Sequence, residues 1–301
     1  MTELTSVQHK KLSLSNDLLS RVRNALGIPD DISADLEGLN LAYSAWCRRV
    51  PFDNIRKMIT LYSGSSAPLA GLDAEDFFEN WLANGSGGTC WPSSNALFAL
   101  LLALGFDAGR VAGSMFDLGV MNHGTVKVRI GGQDWMVDTS TLAGLPLPMG
   151  RDVFINNDPA LGIEVELIDG AHVIWIDFAP LPDYVPCRLH LDPVDSEYYR
   201  ERYEVFSREQ SPFNQRLYFR RCGPDGVWVI LGHTRFMRMV NGDLDVREFS
   251  RDGLCEYLIE EGVSSQLIDQ WIAAGGLDMS FDPMTEGSRP QINGVPPSRR
   301  G

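Results

Sequence analysis

The feature that most constrains the fold is a glycine-rich segment, residues 84–95, that runs directly into an apolar stretch, residues 96–104. The stretch is apolar on every side, which is typical of a helix buried within a protein. Pro92 suits the first turn of such a helix, and Gly105 is a typical signal for its end. The pattern therefore predicts a buried helix that begins at or just after Cys90, behind a loop whose glycines allow close approach.

The position of Cys90 makes it a candidate nucleophile. Free backbone N–H groups and the positive end of the helix dipole favour a thiolate at a helix N-terminus. The thiolate is the form of cysteine that attacks electrophiles. A free cysteine is more often a small apolar side chain in a core, so this interpretation depends on finding a base beside Cys90.

The composition is that of an ordinary globular protein and argues against several classes. The chain has 301 residues, of which 44% are hydrophobic and 22% charged, and this length allows one large domain or two to three small ones. A net charge of −14 without a basic stripe argues against a nucleic-acid surface. Five widely spaced cysteines without a Cys-x-x-Cys pair indicate neither a disulfide framework nor a zinc site.

No targeting or membrane-spanning segment is evident in the sequence. The N-terminal residues lack the basic segment and following apolar segment of a signal peptide. The longest apolar run is much shorter than a membrane span. We therefore expect a reduced, cytoplasmic protein without a membrane partner.

The residue pattern changes twice along the chain. Helical spacing dominates as far as Gly105, and alternating apolar and polar residues then predict an antiparallel sheet or small barrel. Residues 144–161 and 179–194 are rich in proline and are predicted to be connections. Mixed helices and strands follow from Asp195, and a tail rich in Pro, Gly, Ser and Arg from about Gly287 is predicted to be disordered.

A predicted hairpin brings a histidine and a carboxylate together. Gly131-Gly132 is a typical two-residue turn, and with that turn Asp138 lies opposite Thr125. His123 projects from the same face of its strand as Thr125. His123 and Asp138 are then diagonal neighbours with Cα atoms about 7–8 Å apart. A three-residue turn would place them on opposite faces instead.

A cysteine, a histidine and a carboxylate can share one catalytic task. Cys90 would attack an acyl donor, His123 would accept its proton, and Asp138 would fix the tautomer and stabilise the imidazolium. The other four histidines lack a carboxylate at a comparable hairpin position. Metal ligation by this pair would need further ligands that the pattern does not supply. No Gly-Lys-Ser/Thr sequence follows the glycines, so a phosphate-binding loop is not indicated.

At these positions the chain resembles the arylamine N-acetyltransferase family, a branch of the papain- and transglutaminase-like cysteine enzymes. The family's Arg-Gly-Gly-x-Cys segment corresponds to residues 86–90, and its Pro-Phe-Glu-Asn-Leu segment to residues 51–55. Its catalytic histidine and aspartate correspond to His123 and Asp138. The later matches are Ser211-Pro212-Phe213, Leu217, Arg221 and Pro224-Asp225-Gly226. The likeness covers about residues 15 to 275.

The resemblance implies an α+β, cysteine-proteinase-like fold in three parts. An N-terminal helical bundle over residues 1–106 would carry the nucleophile. A central antiparallel β-barrel over residues 107–194 would carry the histidine and the aspartate, and a C-terminal α/β lid over residues 195–286 would follow. Residues 287–301 would form the disordered tail.

The resemblance also implies an N-acyltransferase that works by a ping-pong mechanism. Cys90 would take an acetyl group from acetyl-CoA as a thioester and pass it to the nitrogen of an arylamine, hydrazine or N-hydroxyarylamine. Backbone N–H groups near Cys90 would bind the developing oxyanion. The co-substrate would be acetyl-CoA or another acyl thioester, and no metal would be needed.

Several positions near the expected cleft depart from the family pattern. Ser86 replaces the arginine before the glycine pair, Pro92 stands where the family has Glu or Gln, and the asparagine beyond is displaced to Asn95. Residues 139–142 replace a glycine-containing segment that lines the cleft. The triad is untouched, so the departures leave open the acyl donor and the acceptor. The sequence leaves the role of Asp53 open, and its position in the family pattern suggests a structural residue near the cleft.

Three other functions remain compatible with the same residues. An amide synthase of secondary metabolism would accept an acyl chain from a carrier protein or a longer acyl donor, for which residues 139–142 could widen the cleft. A cysteine hydrolase or amidase would use the same triad with water as the acceptor. A catalytically silent binding protein is disfavoured because all three polar residues are present.

Overall fold

A computed structural model describes residues 14–64, 66–181, 183–283 and 294–300 of the chain. The N-terminal part consists of five helices in the described residues. The helices are α1 (Asn16–Leu26), α2 (Leu36–Arg49), α3 (Ile55–Tyr62), α4 (Ala74–Asn84) and α5 (Cys90–Ala103). Ser15, Asp35 and Asp73 accept backbone N–H bonds at the starts of α1, α2 and α4, as N-cap side chains do.

The buried helix predicted from the apolar stretch is confirmed. α5 begins at Cys90, and every residue from Cys90 to Leu101 is buried. It contacts α4 of the N-terminal part, the strands Asp107–Met115 and His123–Ile130 of the following sheet, and the turn Arg202–Phe206. The main hydrophobic core therefore joins the helical part to the sheet.

Eight antiparallel strands follow and form a nearly closed, barrel-like sheet. The strands are β2 (Asp107–Met115), β3 (His123–Ile130), β4 (Gln133–Val137), β5 (Leu147–Pro148), β6 (Phe154–Asp158), β7 (Leu161–Ile168), β8 (Ala171–Asp177) and β9 (Val185–His190). Their order in the sheet is β5-β4-β3-β2-β9-β8-β7-β6. A separate apolar cluster lies among the strands.

Two predicted connections contain strands, so the sequence interpretation was wrong there. β5 and β6 lie within residues 144–161, and β9 lies within residues 179–194. Proline misled the prediction because it is tolerated at strand ends and edges. Pro148 closes a two-residue strand at the edge of the sheet, and Pro186 is the second residue of β9.

The C-terminal part is a five-stranded antiparallel sheet with helices on one face. It opens with α6 (Ser196–Glu201), a π-helical turn (Arg202–Phe206), α7 (Ser207–Gln210) and a 3₁₀ turn (Pro212–Asn214). The strands β10 (Tyr218–Gly223), β11 (Gly226–Leu231), β12 (Thr234–Met239) and β13 (Leu244–Glu248) precede α8 (Arg251–Glu260), α9 (Ser265–Ala273) and α10 (Gly276–Phe281). The fifth strand is β1 (Phe52–Asp53), which comes from the N-terminal part and pairs with β10.

Part of the tail contacts the barrel-like sheet. Ser298 and Arg300 hydrogen-bond the buried carboxylates of Glu164 and Glu166, while the predicted disorder of the tail stays a prediction. The rest of the predicted disordered segment, residues 287–293 and 301, lies outside the described residues. The predicted domain boundaries stay predictions. No helix in the described ranges is long and apolar enough to cross a membrane.

Candidate active site

The glycine loop before Cys90 is held by a buried carboxylate, Asp53. Its Oδ1 atom accepts hydrogen bonds from the Ser86 hydroxyl at 2.8 Å and the Ile55 backbone N–H at 3.0 Å. Its Oδ2 atom accepts the Gly87 backbone N–H at 2.6 Å. Burial raises the pKa of Asp53 to about 6, against the lowering effect of these donors. Asp53, whose role the sequence left open, therefore fixes the loop.

The loop also packs directly against β1, which explains one of its glycines. A Cβ atom on Gly87 would lie 2.0 Å from the Pro51 carbonyl oxygen, which no real side chain tolerates. Phe52 forms a parallel bridge with Gly88, and the Asp53 N–H donates to the Gly88 carbonyl at 3.3 Å. These contacts set the direction in which the chain enters α5.

The first turn of α5 is joined to the start of β3, beside His123. A Cβ atom on Gly124 would lie 2.5 Å from the Trp91 ring, so only glycine allows this ring to pack against the strand. The Ser94 hydroxyl donates to the Gly124 carbonyl at 2.8 Å. The first turn of α5, which begins at the 5% exposed Cys90, therefore packs against the residue that follows His123.

The hairpin has the predicted register. Gly131 and Gly132 form the turn with φ values of 58° and 84°, and Val126 lies opposite Val137. Asp138 follows Val137 directly. The structure brings the side chains of Asp138 and His123 together, with 2.5 Å between Oδ2 and Nε2.

The altered segment after Asp138 orients this carboxylate. Oδ1 of Asp138 accepts the Ser140 N–H at 2.9 Å, the Ser140 hydroxyl at 2.6 Å and the Thr141 N–H at 2.9 Å. The Tyr43 hydroxyl donates to the Asp138 carbonyl at 2.6 Å. Although burial raises the pKa of Asp138, the nearby His123 charge and these donors hold the pKa well below its usual range. The carboxylate is therefore ionised and fixed in one orientation.

The neighbours of His123 shift the pKa of its ring in opposite directions. The ring is 4% exposed, and this burial lowers its pKa. The Asp138 charge and hydrogen bond, with a smaller contribution from Cys90, raise the pKa well above its ordinary value. Asp138 engages Nε2 of the ring, and Cys90 is close enough to contribute to its electrostatics.

The other four cysteines are poor candidates for a nucleophile. Burial raises the pKa of Cys187 to about 12 and that of Cys47 well above its ordinary range. Burial also raises the pKa values of Cys222 and Cys255. These groups therefore remain neutral thiols near neutral pH, which is the unreactive form.

A buried lysine near Cys90 was not singled out by sequence reasoning. Lys57 on α3 is 2% exposed, and its Nζ donates to the Ser207 hydroxyl at 3.0 Å. Burial lowers the pKa of Lys57 to about 7, while the charge of Cys90 raises it. No carboxylate pairs with Lys57 in the described ranges. Its partner is 150 residues away in sequence, so no local pattern could have identified it.

Two tyrosines of the segment over residues 196–210 also cover the site. The Tyr199 ring packs edge-on against Trp91 with 4.8 Å between ring centroids, and its hydroxyl donates to the Thr125 carbonyl at 3.0 Å. The Tyr203 hydroxyl donates to the Ala70 carbonyl at 2.8 Å. Tyr203 lies in the π-helical turn, a feature that is frequent at functional sites.

The chemistry available at this site is that of a nucleophile, a base and an orienting carboxylate. No group of three or more His, Cys, Asp or Glu side chains that could hold a metal ion occurs in the part of the chain that the structure describes. Asp138 is instead hydrogen-bonded to His123, and Cys90 at the N-terminus of α5 contributes to the electrostatics of the same ring. The N–H groups of Cys90 and Trp91 have no partner within that helix, as in every first helical turn.

The fold is shared with solved arylamine N-acetyltransferases. A cysteine-to-glutamine variant of the Mycobacterium smegmatis enzyme aligns with a TM-score of 0.74 and 17% identity over 86% of this chain and 98% of that one. The Salmonella typhimurium enzyme aligns with a TM-score of 0.72 and 15% identity over 87% of this chain and 100% of that one. A Bacillus cereus enzyme, described as having a unique Cys-His-Glu catalytic triad, aligns with a TM-score of 0.66 and 16% identity over 83% of this chain and 100% of that one.

Sequence comparison identifies the family to which the chain belongs. No curated protein sequence matches the chain. The family model described as N-acetyltransferase matches residues 35–264, which include all of the elements that build the site. The chain therefore belongs to the arylamine N-acetyltransferase family.

Proposed function

We propose that this protein transfers an acyl group from a CoA thioester to the nitrogen of an arylamine- or hydrazine-type acceptor, through a thioester on Cys90. Acetyl-CoA is the proposed donor. The observation that carries the proposal is the Asp138–His123 hydrogen bond of 2.5 Å in a buried ring whose electrostatics Cys90 also affects. Each of the three residues has a distinct role in the reaction.

The first half-reaction loads the enzyme. Cys90 attacks the thioester carbonyl as a thiolate, while His123 carries the proton that the thiol has given up. Asp138 stabilises the imidazolium and prevents the ring from rotating. The backbone N–H groups at the start of α5 stabilise the oxyanion, a contribution of about 3 kcal/mol per donor. CoA leaves as the thiol after receiving the proton from His123.

The second half-reaction transfers the acyl group from Cys90 to the acceptor. The acceptor nitrogen attacks the Cys90 thioester, and His123 removes its proton as a general base. The amide is released and the thiolate is restored. Because donor and acceptor react at the same cysteine in turn, the reaction follows a ping-pong order.

Burial of the site favours transfer over hydrolysis. Cys90 is 5% and His123 4% exposed, and Tyr199 and Tyr203 lie against the same loop and helix start. Restricted access of water protects a thioester from hydrolysis. A hydrolase or amidase would need free access of water to this carbon. The location that we propose is the cytoplasm, where the five free cysteines would stay reduced.

Steady-state kinetics test the proposal. With acetyl-CoA and an aromatic amine varied together, we expect parallel double-reciprocal lines and an N-acetylated product. Intersecting lines would exclude the ping-pong order. CoA release at an undiminished rate without an amine would favour a hydrolase. Turnover with a longer or carrier-bound acyl thioester but not with acetyl-CoA would favour the amide synthase.

A further inference from the structure

Lys57 is a buried ammonium group that no step of the proposed mechanism uses. The residue is 2% exposed, and its Nζ donates to the Ser207 hydroxyl at 3.0 Å. Among the described residues, Nζ has no other hydrogen-bond partner and no carboxylate within ion-pair distance. A buried charge without a counter-ion is costly. A negative group that forms during the reaction would compensate it.

Two elements enclose Lys57, and both adjoin the entry to α5. Lys57 lies on α3, which follows β1 after one residue, and Phe52 of β1 is bridged to Gly88 in the glycine loop. Ser207 directly follows the π-helical turn Arg202–Phe206, and this turn contacts α5. The ammonium is therefore held between two elements that contact the loop and the helix at the reacting cysteine.

Cys90 is the negative group that this position offers. Burial lowers the pKa of Lys57 to about 7, while the charge of Cys90, which is close enough to act on Lys57, raises it. Arg208 also acts on Lys57, but its charge is positive and lowers the pKa. An electrostatic interaction between two groups is mutual, so the ammonium stabilises the thiolate by the same free energy.

The titratable groups that interact with Cys90 are of two kinds. His123 and Lys57 are positive when protonated. The others are a thiol and two phenols, and burial raises the pKa of each: Cys187, Tyr199 and Tyr203. These three groups stay neutral near neutral pH and supply no charge. Lys57 is therefore the second cation, beside His123, that acts on the nucleophile in the described part of the chain.

We propose that the Lys57 ammonium stabilises the Cys90 thiolate through space and so acts as a positioning residue for the nucleophile. The inference rests on the role of Cys90 in the proposed function above. His123 still takes the proton of the thiol, and no bond or proton passes to or from Lys57 in this step. When the thiolate becomes a thioester its charge is lost, so Lys57 should hold its proton less strongly in the acyl-enzyme.

The pH dependence of alkylation tests this assignment without an acyl donor. Iodoacetamide reacts with the thiolate, so its rate with Cys90, followed by mass spectrometry of the Cys90 peptide, rises with pH as the thiol ionises. Lys57→Met should move this rise to higher pH, because one stabilising charge is lost. At pH values below the rise, we expect a rate about tenfold lower than that of the wild type. Above the rise, at about pH 9, the two rates should agree.

Matched variants separate the charge of Lys57 from its packing. Lys127 is the other lysine in the described ranges, and it pairs with Asp134 at 3.7 Å in the hairpin of β3 and β4. Lys127→Met should therefore leave the alkylation profile unchanged. Lys57→Arg keeps a positive charge and should keep the wild-type profile. Lys57→Gln has no charge and should behave as Lys57→Met does, and it gives the same comparison if the methionine variant fails to fold.

Two results would overturn the proposal. A rise at the same pH in Lys57→Met and the wild type would show that the ammonium does not act on Cys90. A rate that falls by the same factor at every pH would show that Lys57 affects only the packing around the thiol. An absence of acyl transfer from every donor would instead overturn the proposed function, and the alkylation profile would still decide the role of Lys57.

Discussion

Asp53 and Ser86 are hydrogen-bonded to each other, with 2.8 Å between the carboxylate Oδ1 and the serine Oγ. Both residues depart from the segments that the chain otherwise shares with the family, where a glutamate and an arginine stand. The structure places the two changes in direct contact. The Ser86 hydroxyl is therefore one of the donors through which Asp53 anchors the loop before Cys90.

Substitution of Ser86 by alanine should weaken that anchor. Asp53 would keep two backbone donors and lose the hydroxyl, so we expect a loss of about 1 kcal/mol in the free energy of unfolding. The pKa of Asp53, already raised to about 6, should rise further. Urea unfolding at pH 7 measures the first effect.

The pH dependence of stability checks the same contact. The pKa of Asp53 is about 6 in the folded protein and about 3.9 in the unfolded chain. Protonated Asp53 therefore stabilises the fold fully at pH values below about 3.9, and this contribution is lost as pH rises through about 6. Asp53→Asn should remove this component. If the free energy of unfolding differed between pH 4 and pH 7 by the same amount in Asp53→Asn and in the wild type, the raised pKa of Asp53 would be contradicted.

The Ser140 hydroxyl is expected to support Asp138 through its hydrogen bond to Oδ1. Ser140→Ala should cost about 1 kcal/mol of stability and raise the pKa of Asp138. The lowered pKa of Asp138 stabilises the fold at pH values above the pKa of the unfolded chain, and this contribution is lost as pH falls. Because the variant has a smaller contribution to lose, it should begin to unfold at a higher pH during acid titration. Circular dichroism from pH 6 to pH 2 would detect this shift, and an identical acid midpoint would contradict it.

The proposed reaction should require the negative charge of Asp138. Asp138→Asn leaves a neutral group beside His123 and favours the wrong tautomer, so we expect kcat/KM to fall by about three to four orders of magnitude. Asp138→Glu retains the charge and serves as the matched control. Acetylation kinetics of the two variants test this, and comparable activity of the asparagine variant and the wild type would rule out the role.

The buried ammonium of Lys57 is expected to destabilise the fold at neutral and lower pH. Its folded pKa of about 7 lies below the unfolded value of about 10.4, so the penalty is fully present below pH 7 and disappears as pH rises through the unfolded value. Lys57→Met should therefore raise the melting temperature at pH 6 by more than at pH 10. Equal increases in melting temperature at pH 6 and pH 10 would show that the charged form of Lys57 does not destabilise the fold.

Local sequence patterns predicted the parts of the site that depend on one segment. The buried helix that begins at Cys90 followed from an apolar run between a proline and a glycine. The diagonal placement of His123 and Asp138 followed from the two-residue turn alone. Both features are set by backbone periodicity, which the sequence shows directly.

Contacts between distant segments were beyond the same reasoning. Lys57 contacts Ser207 across about half of the chain, and Phe52 pairs with Arg220 across slightly more than half. Neither pair has a periodicity or a turn signal that links its members. The contacts of residues 294–300 depend in the same way on buried carboxylates of β7. These features follow from the packing of three separate cores, which no single window of sequence describes.

The central claim is that Cys90 carries the acyl group, and intact-mass measurement tests it most directly. Wild-type protein and Cys90→Ser would be mixed with acetyl-CoA and weighed before and after addition of an aromatic amine. We predict a gain of one acetyl group on the wild type that maps to the peptide containing Cys90, disappears with the amine, and is not seen as a thioester in the variant. Acetylation at another residue, or none with any acyl thioester tried, would contradict the account.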